Sequence, residues 1–184
     1  MTRRLLSGPA GPRADLSLTL GHQSASPNEE GEPVQRGDRA PDFELPDETG
    51  RPRRLSEMLR AGPVVLFFYP RAMTSGCTAE ACHFRDLRTE FEEVGAQRMG
   101  ISVDPVSKQK QFSAKHNFDY PLLSDKDGSV ARAYGVSPGL LSFIRPVKRT
   151  TFVIGTDGLI LDVINSETHM QIHADRALRT LSGA

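Results

Sequence analysis

The chain has 184 residues, 38% of them hydrophobic, which suits one folded domain with some length to spare. Its 23 basic residues balance its 23 acidic residues, so the net charge is zero and no dense basic run indicates a nucleic-acid partner. The most apolar stretch, VVLFFY at residues 64–69, is far shorter than the about 20 residues that cross a bilayer, so no membrane partner is expected either.

The sequence contains two cysteines, Cys77 and Cys82, and both lie in one short segment. A secreted scaffold held by disulfides would spread more cysteines along the chain to close long loops. Two thiols this close contribute little to fold stability, so the pattern indicates thiol chemistry in a reducing compartment. We therefore predict a cytoplasmic location.

Residues 1–36 differ in composition from the rest of the chain. They are rich in Ser, Gly, Pro and Ala and show no sustained period of 2 or 3.6, which predicts a disordered or weakly ordered tail. Arg3, Arg4 and Arg13 leave a transit peptide as the alternative, although the amphipathic spacing is poor. The folded domain is predicted to span residues 37–184.

From residue 37 onward, apolar runs alternate with turn residues. The run at 64–69 is continuous, which favours a central strand that is covered on both faces. A long helix is predicted to begin at Thr74 or Ser75, either of which can cap it, and to run to about residue 94, where Gly95 is a stop signal. The other predicted elements are a strand near 43–45 with a turn at 47–50, a helix at 55–59, a strand at 99–103, a helix at 105–116, a turn at 125–128, a short helix at 129–134, a hairpin of strands 151–154 and 159–164, and a helix at 172–181.

The order of these elements predicts the fold class. A β-α-β-α pattern followed by a hairpin and a final helix is typical of a thioredoxin-like layered α/β fold, in which helices flank a central mixed β-sheet. The sequence shows no internal repeat.

Cys77 lies where chemistry is expected in such a fold. It follows the predicted central strand after the loop PRAMTSG and falls in the first turn of the next helix, outside the carboxyl end of the strand. Unpaired N–H groups and the positive end of the helix dipole favour a thiolate there. Because an ordinary thiol is only about 3% ionised at neutral pH, a nucleophile also requires a cation from elsewhere in the chain. The same pattern also fits a cysteine that serves only for packing.

Cys82 is predicted to lie on another side of the same helix. Cys77, Ala81 and Phe84 recur at steps of three or four and share a face, whereas Cys82 lies about 140° around the helix from Cys77. The Cα atoms of the two cysteines would be about 8.6 Å apart, beyond the roughly 7 Å limit for a disulfide. A disulfide therefore requires the first turns of the helix to unwind, and without that step Cys82 is an inert small residue.

The segment after the central strand resembles the active-site motif of the peroxiredoxins, Pro-x-x-x-Thr-x-x-Cys, with Pro70, Thr74 and Cys77 at the motif positions. The sequence RTTFVI, which begins at Arg149, resembles the context of that family's distal arginine. The stretches GDRAPDFELP and LSDKDG agree as well, and the likeness covers residues 37–182. A second cysteine five residues after the first is similar to the bacterioferritin comigratory protein, or peroxiredoxin Q, subgroup.

This resemblance implies a thiol peroxidase. The Cys77 thiolate would attack H2O2 or an organic hydroperoxide and become a sulfenic acid, while backbone N–H groups, Thr74 and Arg149 hold the peroxide oxygens and Pro70 shields the thiolate from water. Cys82 would then form an intramolecular disulfide, which thioredoxin or a similar dithiol would reduce. The resemblance implies no metal, haem or flavin cofactor, and an intramolecular disulfide favours a monomer.

Three other functions are compatible with the residues. A thioredoxin-fold copper carrier would use both cysteines and His169 or His173, although the spacing of the cysteines disfavours it. A non-enzymatic thiol sensor or holdase would oxidise slowly and gain no turnover from thioredoxin. A one-cysteine peroxidase would leave Cys82 as a bystander.

Overall fold

The computed structural model describes residues 33–137 and 147–183, so most of the predicted tail lies outside the described residues. The chain already packs against the domain at Val34, a residue that is 3% exposed and whose N–H donates to the carbonyl of Tyr134. The tail itself stays a prediction.

Helices and strands follow one another in nearly the predicted order. The elements are β1 (Glu44–Pro46), β2 (Pro52–Arg54), α1 (Leu55–Met58), β3 (Val64–Phe68), α2 (Ser75–Asp86), α3 (Arg88–Glu93), β4 (Gln97–Ser102), α4 (Val106–His116), β5 (Leu122–Ser124), α5 (Ser129–Ala133), β6 (Thr150–Ile154), β7 (Ile160–Asn165) and α6 (Gln171–Ser182).

Five strands form one mixed sheet in the order β5-β4-β3-β6-β7. The central strand β3 is parallel to β4 and antiparallel to β6, while β4 pairs in parallel with β5 and β6 pairs antiparallel with β7. Strands β1 and β2 form a separate antiparallel pair. The predicted fold class, a thioredoxin-like layered α/β fold with a central mixed sheet, is confirmed.

The central position of β3 follows from its continuous apolar sequence. Because successive side chains of a strand point to opposite faces, alternate residues enter two different cores. Val64, Leu66 and Phe68 pack with residues of α1 and α5. Val65 and Phe67 pack with residues of α2, α4 and α6 on the other face. Each large apolar side chain that is fully buried contributes about 1.5–3 kcal/mol, so both faces of this strand stabilise the fold.

The helix predicted to run unbroken to about residue 94 is two helices, so that prediction was wrong. At Leu87, between α2 and α3, the backbone turns out of the helical conformation, with ψ at 25°. The carbonyl of Phe84, near the end of α2, accepts a hydrogen bond from Arg98 Nη1 at 2.7 Å. Arg98 belongs to β4, so the contact depends on tertiary structure. The predicted stop signal is confirmed by Gly95, which has a φ of 66°.

Two short strands, β2 and β5, were absent from the sequence-based assignment. Each has three residues, too few for a periodic pattern, and each exists through pairing with a neighbour, β1 or β4. Among the helices of the described residues, none has the length and apolar character needed to cross a membrane.

Candidate active site

Cys77 is the third residue of α2 and follows the carboxyl end of β3, where the sequence placed it. The residue is 2% exposed and belongs to the apolar cluster beneath α2, so the sulfur is shielded from bulk water. The first N–H groups of a helix have no intrahelical acceptor, and the N–H groups at 75–77 therefore face the start of α2 as donors for an anion.

Arg149 lies beside Cys77, although 72 residues separate them in the sequence. Its Nη2 donates to Cys77 Sγ at 3.3 Å. The sheet register explains the approach, because Thr150 at the start of β6 pairs with Phe68 at the end of β3. The residue before β6 and the residues after β3 thus reach the same edge of the sheet.

Glu80, which the sequence analysis did not single out, completes a buried trio. Its Oε2 accepts a hydrogen bond from Arg149 Nη1, and the side chains of Glu80 and Arg149 are 0% and 6% exposed. Burial raises the pKa of Glu80 to about 8, against the opposing effect of the Arg149 charge. Burial acts to lower the pKa of Arg149, but Glu80 and Cys77 outweigh it and leave that pKa raised. The signal that could have identified Glu80 is a carboxylate one helical turn after a candidate nucleophile.

His173 is buried beneath this trio and makes two hydrogen bonds through its ring. Its Nε2 donates to the carbonyl of Ser166 at 3.0 Å, and its Nδ1 accepts the hydroxyl of Thr151 at 2.9 Å. Burial lowers the pKa of His173, in agreement with a neutral ring. Because both ring nitrogens are occupied, His173 is a poor metal ligand. His169 is exposed and bonds Thr168. Within residues 33–137 and 147–183, no cluster of three or more His, Cys, Asp or Glu side chains could hold a metal ion.

The loop between β3 and α2 brings Pro70 and Thr74 to the same end of α2. Thr74 occupies the N-cap position, but its hydroxyl donates to the carbonyl of Arg71 at 3.0 Å and makes no cap bond, so the predicted capping role was wrong. Two further features fix this loop. The N–H of Ala72 donates to Asp104 Oδ2 at 2.6 Å, and Met73 adopts a φ of 70°.

Cys82 lies on the same helix as Cys77, and both thiols are free. Its Sγ lies 3.8 Å from Nδ1 of His116, a residue at the end of α4. The proximity of His116 to Cys82 depends on how α4 packs beside α2, for which the sequence carries no signal.

A known protein family and several known relatives match most of this chain. The sequence profile of the AhpC/TSA family matches residues 36–163. A relative from Mycobacterium tuberculosis that carries a peroxiredoxin name is 64% identical over 148 residues, which cover 80% of this chain and 96% of the relative. The chloroplastic peroxiredoxin Q of Arabidopsis thaliana is 39% identical over 151 residues, 82% of this chain and 68% of that protein.

Solved structures give the same result. The crystal structure of peroxidoxin BcpB from Mycobacterium tuberculosis has a TM-score of 0.78 at 63% identity, covering 82% of this chain and 97% of that one. The bacterioferritin comigratory protein of Xanthomonas campestris, a protein with alkyl peroxide reduction activity, has a TM-score of 0.70 at 30% identity, covering 77% and 90%. The chain therefore belongs to the AhpC/TSA family, as a peroxiredoxin of the bacterioferritin comigratory protein and peroxiredoxin Q group, and it is a thiol-dependent peroxidase.

Proposed function

We propose that Cys77 is the residue oxidised by the peroxide, that Cys82 resolves the product, and that thioredoxin or a similar dithiol completes the cycle. The observation that carries the proposal is the hydrogen bond of 3.3 Å from Arg149 Nη2 to the buried Sγ of Cys77 at the start of α2. A guanidinium directed at a sulfur stabilises the anionic, nucleophilic form.

In the first step, the Cys77 thiolate attacks the terminal oxygen of H2O2 or an organic hydroperoxide. The O–O bond breaks, the leaving oxygen takes a proton as water or an alcohol, and Cys77 becomes a sulfenic acid. Negative charge moves from sulfur to the leaving oxygen during this step. Arg149 and the N–H groups at the start of α2 are fixed donors that can stabilise this charge as it moves.

Thr74 and Pro70 take supporting roles in the proposal. The Thr74 hydroxyl donates to the carbonyl of Arg71, so its oxygen can still accept a hydrogen bond from a peroxide O–H. Pro70 is half-buried at the end of β3 and carries no N–H, so it can cover the thiolate without competing for it as a donor.

In the second step, Cys82 attacks the sulfur of the Cys77 sulfenic acid, the S–O bond breaks, and water leaves. Both cysteines lie on α2, so their Cα atoms are about 8.6 Å apart and the helix must unwind locally before the sulfurs can bond. The resulting disulfide requires no second subunit. A dithiol then restores both thiols by exchange.

A thioredoxin-coupled assay that follows NADPH oxidation, with H2O2 and with an organic hydroperoxide, tests this function. We expect the wild type to turn over and Cys77→Ser to retain at most a few per cent of the activity, because the change removes the nucleophile and little volume. Circular dichroism of the variant checks its fold. Substantial activity in a folded Cys77→Ser protein would contradict the proposal.

Cys82→Ser is the matched variant for the second step. It should react once and then stall as a sulfenic acid or over-oxidise to a sulfinic acid. Mass spectrometry after one equivalent of H2O2 should show the loss of two hydrogens only in the wild type. If both proteins recycle equally well with thioredoxin, the enzyme is a one-cysteine peroxidase and Cys82 is a bystander.

A further inference from the structure

The ring of His116 is held in place against the second cysteine. Its Nδ1 lies 3.8 Å from Cys82 Sγ. The ring stacks on Phe118, with centroids 5.6 Å apart, and meets Phe112 edge-on at 5.3 Å. Arg85, three residues after Cys82, donates to the carbonyl of His116 at 2.6 Å. The two aromatic contacts of the ring and the hydrogen bond to the backbone thus fix the position of Nδ1, which faces Cys82 Sγ.

The positive charges near this ring favour its neutral form, and only the neutral form can accept a proton. Burial lowers the pKa of His116, and the positive charges of Lys115 on α4 and Arg85 on α2 lower it further. The imidazole is therefore neutral at pH 7. With the proton on Nε2, the lone pair of Nδ1 points to the thiol of Cys82. Arg85 also carries a positive charge beside the position where a thiolate would form.

We propose that His116 is the catalytic base that takes the proton from Cys82. This inference rests on the proposed role of Cys82 as the residue that attacks oxidised Cys77. The proton of the Cys82 thiol passes to His116 Nδ1, and the thiolate forms the S–S bond as the S–O bond of the sulfenic acid breaks. The leaving hydroxide then takes the proton from His116 and departs as water, which restores the neutral ring.

The anchors of α2 indicate that Cys82 stays beside His116 while the helix start unwinds. Three tertiary contacts hold the second half of the helix. The hydroxyl of Tyr120 donates to the carbonyl of Ala81 at 2.7 Å, next to Cys82. The other two contacts are Arg98 Nη1 to the carbonyl of Phe84 and the pair of His83 with Asp175, both at 2.7 Å.

The first half of the helix is held through the side chains of Cys77 and Glu80, which bond Arg149, and its other residues are more exposed. Ser75 and Ala79 are exposed, and Thr78 is half-buried. Unwinding that begins at Ser75 therefore moves Cys77 toward Cys82. The disulfide then forms beside His116, which does not need to move. The Glu80–Arg149 pair lies at the boundary between the two halves.

Alkylation of Cys82 by iodoacetamide tests the role of His116 without any unwinding. The background is Cys77→Ser, in which Cys82 is the sole thiol. Adding His116→Phe keeps an aromatic ring for the Phe118 stack but removes the proton acceptor. We expect alkylation at pH 7 to slow about tenfold, since an unassisted thiol is only about 3% ionised there. At pH 10, hydroxide in solution replaces the protein base, so the two rates should converge. His169→Phe, on the exposed loop before α6, is the matched control and should not change the rate.

Equal alkylation rates at pH 7, or a difference that persists at pH 10, would overturn the role of His116. The first result would show no proton transfer, and the second would show only a change in access to the sulfur. In the otherwise unmodified enzyme, His116→Phe should slow disulfide formation after one equivalent of H2O2 and leave the oxidation of Cys77 unchanged. Failure of the wild type to form the intramolecular disulfide would instead overturn the role of Cys82, a result that the alkylation rates do not affect.

Discussion

The guanidinium group of Arg149 donates two hydrogen bonds, from Nη1 to Glu80 and from Nη2 to Cys77. All three side chains are buried, so none of the charges is well solvated. Where the pH is high enough to ionise Glu80, removing Arg149 leaves an uncompensated buried charge, which typically costs about 3–5 kcal/mol. Glu80 therefore directs Arg149 toward the sulfur. Substitutions in this trio, and changes of pH, should alter both the free energy of unfolding and the reactivity of Cys77.

Arg149→Ala should slow the oxidation of Cys77 by about a hundredfold or more, because it removes a donor that stabilises charge in the transition state. Competition with horseradish peroxidase for limiting H2O2 measures this rate directly. Arg54→Ala removes an arginine from an exposed pair with Glu44 and should leave the rate unchanged. A normal rate in a folded Arg149→Ala protein would show that the contact of 3.3 Å does not serve the chemistry.

The variant Glu80→Gln tests how the buried carboxyl group of Glu80 makes the free energy of unfolding depend on pH. The pKa of Glu80 is raised from 4.5 to about 8, so the folded state binds this proton more tightly than the unfolded state does. The stability that comes from Glu80 is thus fully present below pH 4.5 and is lost as the pH rises through about 8. The free energy of unfolding of the wild type, measured in urea, should fall relative to that of Glu80→Gln across this range. A constant difference would mean that Arg149 keeps Glu80 ionised throughout.

The elements differ in how far their sequences determine them. The apolar run of β3 and the amphipathic pattern of α6 could be predicted, because each repeats a signal over several residues. The break after α2 could not, since Arg98 reaches the carbonyl of Phe84 from another strand. The face predicted for Cys77, Ala81 and Phe84 is nevertheless buried as expected.

Gly76→Ala tests whether the unwinding of α2 limits disulfide formation. A Cβ at this position would lie 3.4 Å from Arg149 Nη2 and 3.8 Å from Met170, which are van der Waals distances. Alanine favours a helix over glycine by up to about 1 kcal/mol, so the intact helix is stabilised. Disulfide formation should slow by up to about fivefold, as followed by acid quench and mass spectrometry. Ser107→Ala, an exposed position in α4, should have no effect. An unchanged rate for Gly76→Ala would indicate that the helix does not open at its start.

The candidate site combines residues that no local pattern in the sequence connects. Cys77 could be placed from the strand, loop and helix around it, but Arg149 was assigned only through the resemblance to the peroxiredoxins. Its contact with Cys77 arises from the pairing of β3 with β6. Glu80 and His116 gain their roles from partners 69 and 34 residues away, and those distances in sequence are bridged only by the packing of the sheet and helices.

The N-terminal segment shows the same limit, because its composition predicts a tail up to residue 36 while Val34 belongs to one of the two cores. Composition averages over many residues and therefore does not detect one side chain that packs. The folded domain must then begin before the predicted boundary, and truncation can locate where.

Deletion of residues 2–32 should leave the melting temperature and the peroxidase activity nearly unchanged, since that segment carries no periodic apolar pattern. Deletion of residues 2–35 also removes Val34, whose burial contributes about 1.5–3 kcal/mol. Because each kcal/mol corresponds to about 2–4 °C in a domain of this size, the longer deletion should lower the melting temperature by roughly 3–12 °C. Differential scanning calorimetry of the reduced proteins measures both effects. An equal loss in the two deletions would show that residues 2–32 also stabilise the domain, and no loss in either would show that the packing of Val34 contributes little.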